Sequence, residues 1–121
     1  MRRQVMLLIF GFISAMLISL SVNAGAFKSG YAFMQKCSSA KAQDWGICLG
    51  YVQGVADSLE NLKQWGVELN QGYACFPERI KGEELRDAIV IYMADNPETL
   101  PYSAAGTSIK ALVDAYPCDN D

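Results

Sequence analysis

The stretch "ICLGYVQGVADSLENL", Ile47 to Leu62, decides how the chain is read. Cys48, Val52, Val55, Leu59 and Leu62 recur at steps of three and four, the period of an amphipathic helix. Yet Gly50 and Gly54 lie inside it, with Gly46 one turn earlier. Each interior glycine costs a helix about 1 kcal/mol against alanine. On a helical wheel these glycines share an arc with Asp57, opposite the apolar stripe. They therefore form a smooth groove on the polar side of the helix. The expected occupant is another backbone of the same chain, with Asp57 accepting hydrogen bonds from it. The alternative is a second protein chain, either a twin subunit or a partner. Asp57, Glu60 and Lys63 exclude a membrane-spanning helix of the small-residue type.

Helical periodicity continues on either side. A first short helix is expected over about Gly30 to Ser38, capped by Ser29, with Tyr31, Phe33, Met34 and Cys37 as its apolar contacts. The second starts near Asp44, a good cap, and runs to about Trp65, where Gly66 ends it. The third spans about Gly82 to Asp95. Glu83 and Glu84 suit its first turn, and Leu85, Ile89, Tyr92 and Met93 form its stripe. Asn96-Pro97 stops it. The fourth covers about Ser103 to Tyr116, with the stripe Ala105, Ile109, Leu112, Val113 and Tyr116, and Pro117 ends it. The run "AIVIYM" contains β-formers but sits within a longer helical pattern. The fold class is all-α, a small bundle of about four helices.

The first residues belong to a different regime. "MRRQ" is followed by the apolar run Val5 to Leu20 and then by "SVNAGA". Positive charge, a short apolar run and a small-residue exit, in that order, describe a cleaved secretory signal peptide, residues 1–24. Cleavage is expected after Ala24, with Ala26 a close second. The remaining domain, residues 25–121, loses Arg2 and Arg3 and carries a net charge near −5. Such a surface argues against nucleic acid and anionic membranes and would complement a basic protein partner.

All four cysteines, Cys37, Cys48, Cys75 and Cys118, lie in this domain. An even count in a short exported chain reads as two disulfides. No C-x-x-C pair and no histidine is present, so a metal site is a poor fit. Of three possible pairings, Cys37–Cys48 joins the facing ends of a helical hairpin, and Cys75–Cys118 joins those of two antiparallel helices. Cys48 and Cys75 are separated by most of the second helix, roughly 25 Å.

Little here supports catalysis. Without histidine the commonest general base is missing, and oxidised cysteines offer no thiolate. Glu83 and Glu84 are adjacent and point to different sides of a helix, unlike a glycosidase pair. Asp57 and Glu60 share a face, which fits a solvated surface or a structural hydrogen bond. A non-enzymatic protein without cofactors is expected.

A cysteine eleven residues ahead of "CLGYVQGVAD", then "CFP", "NPE" and a closing "AYPC" together resemble the Rap/Tai family, type VI secretion amidase immunity proteins. The matching positions are Cys37, Cys48, Gly50, Tyr51, Gly54, Asp57, Cys75, Pro77, Pro97, Pro117 and Cys118. The resemblance spans about Ser29 to Cys118. It implies a helical periplasmic homodimer that binds a toxin, a peptidoglycan amidase, and occludes its active site. The matched residues set shape, so contact candidates come from exposure logic instead. Asn96 to Tyr102, held by two prolines, would present Glu98, Leu100 and Tyr102 as a rigid loop that loses little entropy on binding. Trp65, at the end of the second helix, is a further candidate anchor. The competing function class is a small periplasmic helical chaperone or acid-stress protein.

Overall fold

The computed structural model describes Phe27 and residues 29–118. The expected signal peptide lies outside them. Among the described residues four helices follow one another: α1 (Gly30–Cys37), α2 (Ala42–Gln64), α3 (Gly82–Asp95) and α4 (Ala104–Ala115), with one 3-10 turn at Pro97–Thr99. Each helix packs against the other three. Among the described residues there is no strand; Ala74 and Pro117 form one isolated bridge. The protein is a small all-α bundle, as its periodicity indicates.

Local chemistry explains most of the boundaries. The Ser29 hydroxyl accepts from the Ala32 N–H at 3.4 Å and starts α1. The Glu84 carboxylate accepts from the Lys81 N–H at 2.8 Å and helps start α3. Gly66 adopts φ 67° just past α2, where a side chain would be strained. One start departs from expectation. Helix α2 begins at Ala42, ahead of Asp44, and its N-cap, Lys41, makes no side-chain capping bond. The Asp44 carboxylate is engaged elsewhere, 2.6 Å from the Lys36 ammonium at the end of α1. That ion pair, helped by Ser39, holds the Asp44 carboxyl below its usual value.

The core is built from Phe33, Val52, Leu59, Ile89, Met93 and Leu112, all fully or almost fully buried. Phe33 and Tyr51 extend it to Phe27, whose ring centroid lies 4.7 Å from that of Tyr51. The buried face of α4 differs from the expected stripe. Ala104, Thr107, Ser108, Ala111 and Leu112 are buried, whereas Ala105 is exposed and Ile109, Val113 and Tyr116 are half-covered. Helix α4 packs against all three other helices, and small and hydroxyl side chains face its neighbours. Tyr31 of α1, expected among the apolar contacts, is exposed.

The disulfides pair Cys37 with Cys48 and Cys75 with Cys118. The first pair is fully buried. Beside it Arg86 of α3 joins three helices. Its Nε donates to the Cys37 carbonyl at 2.9 Å, a second guanidinium nitrogen donates to the same oxygen, and the group lies 4.7 Å from the centroid of the Trp45 ring on α2. One side chain thus caps the end of α1 and stacks on α2. Arg86→Ala is expected to lower the unfolding free energy by about 2 kcal/mol, because it removes a charged hydrogen bond and a cation–π interaction at once. Urea denaturation measures this; a change below about 0.5 kcal/mol would mean that water serves the carbonyl equally well.

Candidate partner-binding site

The segment Asn96–Tyr102 is tied down at every step. Asn96 donates to the Tyr92 carbonyl through its backbone N–H at 3.0 Å and its side-chain amide at 2.8 Å. Thr99 returns two bonds to the Asn96 carbonyl, at 2.9 Å from its N–H and 2.7 Å from its hydroxyl. The segment then turns its carbonyls onto α1. The Leu100 carbonyl accepts from the Tyr31 N–H at 3.2 Å, and the Tyr102 carbonyl accepts from the Gly30 N–H at 3.1 Å. The connector between α3 and α4 therefore also satisfies the open N-terminal donors of α1. The approach is so close that a Cβ on Gly30 would fall 2.9 Å from the Leu100 Cα.

This geometry corrects one expectation. Leu100 is less displayed than expected: it is half-buried, packs on the core and holds α1. Glu98 and Tyr102 do face outward, Tyr102 at 67 % exposure. Beside Tyr102 opens a recess of about 490 Å³ between the end of α3, the 3-10 turn and α4, lined by Tyr92, Thr99, Ser103, Thr107 and Lys110 among others. The Lys110 ammonium stands 5.9 Å from the Tyr92 ring centroid and 3.4 Å from Asp114. An aromatic rim, hydroxyls and one cation suit a protruding side chain of another protein. Two of these residues escape a reading of the sequence. Periodicity places Tyr92 in the buried stripe of α3, and Lys110 carries no local signal, since its place depends on how α4 meets α3.

Trp65 is 74 % exposed, yet it does not join this site. Lys63, two residues earlier, lies beside the Cys75–Cys118 bond at the far end of α4, whereas Tyr102 precedes the start of α4. The two aromatics are thus separated by about the length of that helix, roughly 18 Å.

The glycine groove has a different neighbour from the one expected. A Cβ on Gly46, Gly50 or Gly54 would meet nothing within 4 Å. Among the described residues no other backbone approaches there, and the Asp57 carboxylate has no hydrogen-bond partner. The close backbone neighbour expected from the sequence is thus not found among the described residues. Gly50 and Gly54 instead line an open apolar groove of about 330 Å³ with Tyr51, Val55, Ala105 and Ile109. Tyr51 does serve packing, and burial pushes its phenol above the ordinary value of 10.0. Among the described residues no group of three or more potential metal ligands comes together.

No curated protein and no solved structure matches the chain. A family model described as Rap1a immunity proteins matches residues 29–118, which take in all four half-cystines, the glycine-bearing helix α2 and the Tyr102 segment. The chain belongs to the Rap1a immunity protein family.

Proposed function

We propose that this protein neutralises a type VI secreted peptidoglycan amidase by binding it and covering its active site. The family match over residues 29–118 carries this reading. The proposed setting is the periplasm, reached through a signal peptide at residues 1–24, with residues 25–121 as the working domain. Two disulfides suit an oxidising compartment, and no helix of the described residues is long and apolar enough to cross a membrane. The mode is binding alone, with no cofactor. Tyr102 and Glu98, displayed on a segment already fixed by hydrogen bonds, are the proposed toxin contacts; Trp65 is a separate and more distant one.

The test is to export the protein together with candidate peptidoglycan amidases and to score lysis and complex formation. Protection and a stable complex are expected with the cognate amidase. Tyr102→Ala should weaken that complex by about 2 kcal/mol, roughly thirtyfold in Kd, while leaving the fold intact. Absence of protection against every amidase, with suppression of client aggregation at acid pH, would favour a small helical chaperone or acid-stress protein instead.

The homodimer is proposed to use the groove over Gly50 and Gly54. Small residues there leave room for close approach of another helix, and Ile47 on the same helix is half exposed. Since a side chain at Gly50 meets open space, Gly50→Leu is expected to fold with unchanged or slightly raised stability. Sedimentation should then show a weakened dimer; a dimer of unchanged strength would move the interface elsewhere.

A further inference from the structure

A third depression lies between α2, α3 and the segment leading into α3. Its volume is about 610 Å³, in the range of sites that enclose side chains of a ligand. The lining is mixed: Ala56 and Leu85 are buried, Phe76 and Ile80 are half-buried against the core, and Gln53 adds an amide among them. Asp57 and Glu60, three residues apart on α2, share one rim. Three carboxylates are paired, Asp44 with Lys36, Asp87 with Arg86 and Asp114 with Lys110. Asp57 and Glu60 have no ion-pair partner among the described residues. Lys63, three residues beyond Glu60, is placed to supply one; its ammonium lies instead 3.0 Å from the Cys75 Sγ.

We infer that this groove receives a lysine- or arginine-bearing loop of the toxin. The aliphatic stem of the basic residue would lie over Phe76 and Ile80 while its head reaches Asp57 and Glu60, the way long cationic side chains divide between apolar and polar surroundings. Covering the floor excludes water and strengthens the charge contact. The acidic balance of the whole chain steers a basic loop in the same direction. The identity of the partner rests on the immunity reading; the chemistry of the groove does not.

Two arms separate these claims. First, a blocked peptide Gly-Arg-Leu-Arg-Gly and its citrulline counterpart are titrated into the isotope-labelled protein. Saturable amide shifts confined to residues 53–60 and 76–85 are expected with the arginine peptide and not with citrulline. Asp57→Asn with Glu60→Gln should bind it about tenfold more weakly at an unchanged thermal midpoint. Shifts scattered over the surface, or equal binding by the double variant, overturn the inference. Second, against an amidase that the wild type neutralises, the double variant should bind about tenfold more weakly and with a shallower salt dependence. Unchanged affinity overturns the inference and leaves the immunity reading standing. If no amidase is neutralised, the immunity reading fails and the peptide arm alone decides. Loss of self-association in the double variant, with no peptide binding by the wild type, would make the groove a contact between copies and likewise overturn the inference.

Discussion

Removing the Cys75–Cys118 bond, as Cys75→Ala with Cys118→Ala, is expected to lower the unfolding free energy by about 4 kcal/mol. The two cysteines are 43 residues apart, so the bond withholds a long loop from the unfolded chain. The Cys37–Cys48 bond, with a separation of 11, is worth about 3 kcal/mol on the same reasoning. A domain of this size has about 5–10 kcal/mol in total, so either loss brings it near the threshold of folding. Urea denaturation of both double variants gives the comparison. An effect below about 2 kcal/mol at Cys75–Cys118 would mean that the Ala74–Pro117 bridge and the 2.8 Å bond from the Cys75 N–H to the Tyr116 carbonyl suffice to hold this end. The same bond should be the first one reduced by dithiothreitol. Both of its half-cystines are only partly buried, and the Lys63 ammonium beside them favours a departing thiolate.

Gly30→Val is expected to cost about 3 kcal/mol, because the added carbon is driven into backbone and not into a yielding side chain. The milder change gives a sharper test of sign. In a helix, glycine to alanine should stabilise by up to about 1 kcal/mol on propensity alone. Here the 2.9 Å approach to the Leu100 Cα opposes that gain, and a net loss is expected for Gly30→Ala. The same substitution pushes the connector away from α1 and should shift Tyr102, so toxin affinity should fall together with stability. A stabilised Gly30→Ala variant would show that the connector yields at little cost, and that its fixed geometry contributes nothing to binding.

Helix positions are legible in the sequence because caps, glycines and prolines are local signals. Ser29, Gly66, Asn96-Pro97 and Pro117 each act through backbone geometry within a few residues of themselves. The disulfide pairing follows from the same helix layout. Asp44 misleads for an equally physical reason: a carboxylate suited to capping finds a lysine eight positions earlier in the chain. The face of α4 is hidden because Thr107, Ser108 and two alanines pack closely without announcing themselves by hydrophobicity. The glycines of α2 do form a groove, but with a different neighbour, since a wheel shows what a helix face offers and not what approaches it. Leu100 is less displayed than expected because no sequence rule says that a connector between two helices will cap a third. The recess beside Tyr102 depends on how α3 and α4 meet, which no stretch of either one encodes.

Helix α1 is eight residues long, well short of what holds helical form in water by itself. Both of its ends are nonetheless secured, the first turn by the carbonyls of Leu100 and Tyr102 and the last by a buried disulfide and the Arg86 guanidinium. A segment held in this way has no free end from which to fray. Its local opening and the collapse of the whole bundle become one event, so the shortest helix of the protein shares the lifetime of its core.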